Sequence, residues 1–84
     1  MGGKLGVLYL YSTKRHEDME FTPKFKQICA EISNVRFAMV DCDANPDARE
    51  SAEVTEYPTF MIFKNAETLN KVKTTNVDEL KYFI

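Results

Sequence analysis

Hydrophobic positions along the chain follow two different spacings, one typical of strands and one typical of helices. Three short apolar runs, at residues 7–11, 35–41 and 59–63, have the length and composition of buried strands. A fourth strand at residues 68–73 is predicted to form a hairpin with the third, because the segment between them has the composition of a turn.

Apolar residues spaced by three and four predict a first helix at residues 17–33, with Pro23 inside it as a point of bending. Asn45 and Pro46 predict the start of a second helix, ending near residue 54, because Asn is a good N-cap and Pro suits the first helical position. Asn76, with Glu79 three residues later, is a capping-box start for a last helix that runs to residue 84.

The predicted order is strand, helix, strand, helix, strand, strand, helix. The first two strands should be parallel, joined by a right-handed crossover, and the last two antiparallel. This predicts an α/β fold, with a four-stranded mixed sheet and three helices packed on both of its faces. The chain length of 84 residues allows one domain, residues 1–84, with residues 1–6 as a flexible lead-in.

Composition narrows the classes of partner. The net charge is -2 with both signs mixed, which disfavours nucleic acid as a partner. No apolar run is long enough to cross a membrane, so no membrane partner is predicted. Cys29 and Cys42 form no C-x-x-C pair and lie in apolar patterns, as small buried residues do. An intracellular, cytoplasmic location under reducing conditions is the simplest prediction.

The stretch "VDCDANPDARESAEVTEYPTFMIFKNAE", residues 40–67, resembles the thioredoxin family. The shared pattern is Asp-x-Asp-x-Asn-Pro after a strand, followed by x-Pro-Thr and an apolar strand that ends in Phe-Lys-Asn. The resemblance extends over residues 7–84 and implies a minimal thioredoxin-like fold that lacks the family's first strand and helix. Two family glycines are replaced, by Ala66 in the hairpin turn and by Thr74 near the peptide groove, which should narrow that groove.

In the register of this resemblance, the family's two catalytic cysteines fall on Arg15 and Asp18. The tryptophan that usually precedes them falls on Lys14, and the family's buried acid falls on Tyr9. Disulfide exchange needs a thiolate nucleophile and a second cysteine to release the mixed disulfide. Neither is present at this site, so the resemblance implies a non-catalytic member, with no catalytic residue and no cofactor.

The resemblance also implies a cis peptide bond before Pro58, beside the former active-site loop, where Tyr57 would meet an extended peptide. A lone histidine, His16, is a poor metal site, so no metal is predicted. We therefore expect a protein or an extended peptide segment as the partner. The candidate binding surface consists of Lys14, Arg15, His16, Asp18, Tyr57 and Pro58.

The leading prediction is a redox-inactive protein-binding or scaffolding module, alone or within a larger protein. Two alternatives stay open. One is a divergent thiol oxidoreductase that uses Cys29 or Cys42 with a partner thiol. The other is a small structural subunit that self-associates, because the missing first strand would leave a sheet edge exposed.

Overall fold

The fold is that of a computed structural model, and the structure describes residues 4–84. Seven helices and strands follow one another in the predicted order. They are β1 (Leu5–Tyr11), α1 (His16–Glu31), β2 (Val35–Asp41), α2 (Pro46–Ser51), β3 (Thr59–Lys64), β4 (Glu67–Val72) and α3 (Val77–Tyr82).

The four strands form one sheet in the order β2-β1-β3-β4. β1 runs parallel to β2, with Leu8 beside Ala38, and antiparallel to β3, with Leu8 beside Met61. β3 and β4 form the antiparallel hairpin. The predicted α/β fold with a four-stranded mixed sheet and three helices is confirmed. The sheet order leaves β2 and β4 as the two edge strands.

Alternation along the strands divides the core between the two faces of the sheet. One face carries an aromatic core that also receives residues from α1 and α3. Its buried members are Val7, Tyr9, Phe21, Phe25, Ile28, Phe60, Ile62, Val72 and Leu80. The opposite face carries a smaller core next to α2, formed by Leu10, Cys42 and Val54. Helices therefore cover both faces, and β1 contributes fully buried residues to both cores.

Several boundaries differ from those predicted. β1 begins at Leu5, so the predicted lead-in of residues 1–6 overlaps the strand, and residues 1–3 lie outside the described residues. α1 begins at His16 and ends at Glu31, because Ile32 is already extended on the way to β2. α2 ends at Ser51 rather than near residue 54, because Glu53 has a left-handed φ of 55°.

The β3–β4 hairpin turns through two left-handed residues, Asn65 with φ 54° and Ala66 with φ 65°. Positive φ at both central residues is the pattern of a tight hairpin turn, which favours glycine at the second of them. Ala66 adopts this conformation although it carries a Cβ, so the chain keeps the turn that the family makes with glycine. The pairing of β3 with β4 changes register between Ile62 and Phe63, which precede the turn.

The predicted cap of α3 is present, since the Asn76 side chain accepts a hydrogen bond from the Glu79 N–H at 3.0 Å. Asn45 is the N-cap residue of α2, but its side chain does not cap the helix. It donates to the Asp41 carbonyl at 3.0 Å instead, and so closes the turn after β2. Pro23 lies inside α1, where it cannot donate to the preceding turn; a bend there stays a prediction.

Candidate functional site

The start of α1 and the segment before β3 meet at one end of the sheet and form a shallow cleft. The cleft has a volume of about 190 Å³. It is lined by Glu17, Glu56, Tyr57, Pro58, Lys73, Thr74 and Thr75. A larger groove of about 400 Å³ lies beside α2, and three of its six lining residues are charged. The smaller cleft is the stronger candidate because two separate loops and the proline bond converge on it.

Tyr57 and Pro58 form one wall of this cleft, and the peptide bond between them is cis. The Tyr57 ring is half-buried and lies under the Arg49 guanidinium, 5.8 Å from the ring centre. Tyr57 also packs against the smaller core that contains Cys42. One side of the ring is therefore fixed by the fold, while the residue itself remains at the lip of the cleft.

The first turn of α1 forms the opposite wall, through Glu17 rather than through the three basic residues that precede it. Lys14 and Arg15 on the loop, and His16 at the start of α1, are exposed beside the cleft and do not line it. The His16 Nε2 lies 2.8 Å from the Glu20 Oε1 on the next helical turn. Lys73, which follows β4, also lines the cleft. The walls therefore carry charges of both signs.

Asp18 requires a correction, because its side chain is fully buried and cannot contact a partner. Its Oδ2 accepts the Ser12 N–H at 2.9 Å, but its Oδ1 is buried without a hydrogen-bond partner. The Arg15 Nε is 3.8 Å from that oxygen, too far for a hydrogen bond. Burial raises the pKa of Asp18, and the hydrogen bond from Ser12 and the charge of Arg15 only partly offset this.

Tyr9 takes the place of the family's buried acid and is itself completely buried. Its hydroxyl donates to the Asp18 carbonyl at 2.9 Å, and it lies 3.2 Å from the Thr22 Oγ1. Its ring stacks on Phe60, with centres 4.9 Å apart and an interplanar angle of 7°. Burial raises the pKa of Tyr9 to about 12, so the hydroxyl stays protonated and holds the first turn of α1 in place.

Asp43 holds the loop after β1 in place, a role that the sequence analysis missed. One carboxylate oxygen, Oδ2, accepts three hydrogen bonds at 2.8–3.0 Å, from the Ser12 hydroxyl and from the N–H and hydroxyl of Thr13. These contacts lower the pKa of Asp43, that from the Ser12 hydroxyl most. The sequence does show Asp43 as part of the Asp-x-Asp motif. Only the fold, however, brings Asp43 next to Ser12 and Thr13, about 30 positions earlier.

Neither cysteine has the surroundings of a reactive thiol. Cys29 is half-buried on α1, and burial raises its pKa. Cys42 is buried and lies closer to the cleft than its apolar pattern indicated, because it packs beside Tyr57. Burial raises the pKa of Cys42, and a hydrogen bond with Tyr57 offsets only part of this. A raised pKa means that little thiolate forms at neutral pH, so both thiols are poor nucleophiles.

Within residues 4–84, no group of three or more His, Cys, Asp or Glu side chains is arranged to hold a metal ion. No helix in this part of the chain is both long enough and apolar enough to cross a membrane.

Comparison with known proteins gives a consistent match. The family model described as Thioredoxin matches residues 16–84. The solved thioredoxin of Fasciola hepatica superimposes with a TM-score of 0.93 and 29% identity, covering 98% of this chain and 79% of that one.

Two curated relatives are longer than this chain. The mitochondrial thioredoxin-3 of Saccharomyces cerevisiae is 30% identical over 75 residues, covering 89% of this chain and 59% of the yeast protein. Glutaredoxin-3 of Mus musculus is 22% identical over 74 residues, covering 88% of this chain but 22% of the mouse protein. The chain therefore spans less than two thirds of the length of both relatives.

Proposed function

The chain belongs to the thioredoxin family, and from this premise we propose that it is a protein-binding member that does not exchange disulfides. Its partner is an extended segment of another protein, held in the cleft between the start of α1 and Tyr57–Pro58. The names of its relatives, thioredoxins and glutaredoxins, favour a redox role instead. The two functions differ in whether the residues at positions 15 and 18, here Arg15 and Asp18, can exchange disulfides.

The observation that carries the proposal is the chemistry at those two positions. Arg15 is the N-cap residue of α1 and Asp18 lies in its first turn, where the helix dipole would stabilise a thiolate. Arg15 offers a guanidinium, which has only N–H donors, and Asp18 offers a buried carboxyl group. Neither group can attack a disulfide or resolve a mixed disulfide. The two thiols that remain lie elsewhere, Cys29 further along α1 and Cys42 directly after β2, and both have raised pKa values.

The cleft supports the binding part of the proposal. The loop after β1 is held by Asp43 and the first turn of α1 by Tyr9, so one wall is fixed without a disulfide or a metal. Tyr57 stands at the other wall, two residues before β3. An extended peptide that enters here would meet backbone groups and an aromatic ring, which are the usual elements of strand-addition recognition.

We expect the chain not to reduce disulfides. In an insulin turbidity assay with dithiothreitol, it should give the same rate as dithiothreitol alone, while a thioredoxin with both catalytic cysteines accelerates precipitation. Acceleration by this chain that disappears in Cys29→Ser or Cys42→Ser would identify the working thiol. That result would establish the oxidoreductase alternative and refute the non-catalytic proposal.

The binding surface can be tested with extended peptides selected against the intact chain from a random linear library. Tyr57→Ala should weaken binding of a selected peptide by about 2 kcal/mol, or roughly thirtyfold in Kd, if the ring is an anchor. Tyr82→Ala removes the same side chain from an exposed position on α3 and should change binding by less than about 0.5 kcal/mol.

An amide chemical-shift map with the same peptide locates the site independently. Shifts should concentrate at Glu17, Tyr57 and the residues that follow β4, all of which line the cleft. If the shift changes are confined to α3 and the β3–β4 hairpin, and the amide shifts of the cleft residues stay the same, then the peptide binds outside this cleft.

A further inference from the structure

The buried carboxyl group of Asp18 has one oxygen that the fold does not satisfy. Within residues 4–84, its Oδ1 is the one buried side-chain nitrogen or oxygen without a hydrogen-bond partner, whereas its Oδ2 accepts the Ser12 N–H at 2.9 Å. Such an oxygen is costly when the carboxyl group is ionised, because the charge is neither hydrated nor fully hydrogen-bonded. Native folds leave few groups of this kind, and they often have a functional role.

The Arg15 guanidinium stands between this oxygen and the wall of the cleft. Its Nε lies 3.8 Å from the Asp18 Oδ1, and its Nη2 lies 3.7 Å from the Glu17 Oε2. The two distances are nearly equal, and both are longer than a hydrogen bond. The Asp18 side chain is fully buried, whereas that of Glu17 is 69% exposed and lines the cleft. Arg15 is therefore shared between a buried carboxyl group and an exposed one.

The ionisable groups that face Asp18 come from three parts of the fold. Arg15 and Glu17 lie at the start of α1, and Asp43 lies in the turn after β2. Tyr9 of β1 has a pKa of about 12 and is neutral, so among the described residues Arg15 is the positive charge that faces the carboxyl group. Burial raises the pKa of Asp18 most, and the charges of Glu17 and Asp43 raise it further. The carboxyl group therefore changes its charge above the ordinary aspartate range.

From this geometry we propose that Asp18 is a proton-controlled switch for Arg15, and that the switch decides whether Glu17 is free to bind a basic side chain of the partner. Ionised Asp18 attracts Arg15, and a movement of about 1 Å brings the Nε within hydrogen-bond distance of the Oδ1. Glu17 then has no countercharge at the wall of the cleft. When Asp18 is protonated, Arg15 returns to Glu17 and neutralises it. This inference rests on the proposed function, which assigns the cleft to the partner.

The rest of the cleft also favours a basic residue of the partner. Two carboxylates line it, those of Glu17 and Glu56, against one ammonium group, that of Lys73. The Lys73 Nζ lies 3.4 Å from the Thr55 hydroxyl, and no ion pair within residues 4–84 involves Glu56 or Lys73. With Arg15 turned inward, two negative charges and one positive charge give the lining a net charge of -1. The partner is therefore an extended segment with Lys or Arg at the position that meets Glu17.

Nuclear magnetic resonance of the free chain tests the switch without any partner. The side-chain carboxyl carbon of Asp18 reports its titration, and the Arg15 Nε–H shift should change with the same midpoint. This change should vanish in Asp18→Asn, which keeps an acceptor for the Ser12 N–H. It should remain in Asp78→Asn, which removes an exposed first-turn acid on α3. An Arg15 shift that does not follow the Asp18 titration, or that persists in Asp18→Asn, would overturn the switch.

A double-mutant cycle tests the consequence for binding, at a pH above the measured Asp18 midpoint. The probe is a lysine-containing extended peptide selected against the intact chain. Glu17→Gln should weaken its binding about two- to fivefold, the range of an exposed ion pair. In the Asp18→Asn background the same change should have less than half of this effect, because Arg15 already neutralises Glu17.

The outcomes of the cycle separate this inference from the proposed function. If the peptide binds in the cleft but Glu17→Gln has no effect, or has equal effects in the two backgrounds, the inference is overturned and the proposed function stands. If no peptide binds in the cleft, the proposed function and this class of partner are both refuted, and the titration of the free chain decides the switch alone.

Discussion

Replacing Tyr9 by alanine should lower the free energy of unfolding by about 3–5 kcal/mol, the cost of truncating a buried aromatic side chain. The ring is fully buried on the central strand β1. It stacks on Phe60 and lies 4.7 Å from the Phe25 ring, so the cavity would open in the middle of the aromatic core. Urea unfolding followed by circular dichroism measures the change.

A conservative variant keeps this prediction testable if Tyr9→Ala fails to fold. Tyr9→Phe retains the ring and loses only the hydroxyl that donates to the Asp18 carbonyl, so it should cost about 0.5–1.5 kcal/mol. Tyr82→Ala, at a residue that is 85% exposed, should change stability by less than about 0.5 kcal/mol. A Tyr9→Ala cost no larger than that of Tyr82→Ala would mean that Tyr9 is not a core residue.

Replacing Asp18 by asparagine should raise the free energy of unfolding at neutral pH by about 1–3 kcal/mol, because it removes a buried charge whose desolvation its contacts do not fully offset. The change keeps the volume of the side chain and an oxygen that can accept the Ser12 N–H. It removes a charge whose second oxygen has no hydrogen-bond partner. Arg15 is half-exposed, so solvent screens its attraction and it compensates the buried charge poorly.

The pH dependence of this effect has a definite sign. Because burial raises the pKa of Asp18, the folded chain holds a proton that the unfolded chain has already lost. The stability linked to this group is therefore fully present below the ordinary aspartate pKa and is lost as the pH rises through the raised value. Glu17 and Asp43 raise the pKa further, and Arg15 lowers it. The gain from Asp18→Asn should vanish at about pH 3 and reach its full size above the raised pKa.

Asp78→Asn is the matched control. Asp78 is also an acid in the first turn of a helix, but it is exposed on α3. A negative charge in the first turn interacts favourably with the helix dipole, so Asp78→Asn should lower stability by about 0.3–1 kcal/mol. The two variants should therefore change stability in opposite directions. Loss of stability at neutral pH in Asp18→Asn would show that the ionised carboxylate is well compensated in the folded chain.

The sequence by itself determined the order of the strands and helices, the parallel and antiparallel pairs and the family. These features depend on local spacing, turn residues and caps, which act over a few residues. The Asn76 cap and the apolar strands at β1, β2 and β3 are examples. The predicted boundaries of the helices were less accurate than their positions. The ends of α1 and α2 depend on the backbone dihedral angles of single residues, Ile32 and Glu53.

Only the tertiary structure decided which side chains form the site. Glu17 and Asp18 are equivalent in sequence as first-turn acids, yet α1 packs so that Glu17 lines the cleft and Asp18 is buried. Asp43 reaches Ser12 and Thr13 across about 30 positions, and Cys42 comes to lie beside Tyr57. Each of these contacts joins residues far apart in the chain, so their placement depends on the packing of whole elements and not on local sequence preferences.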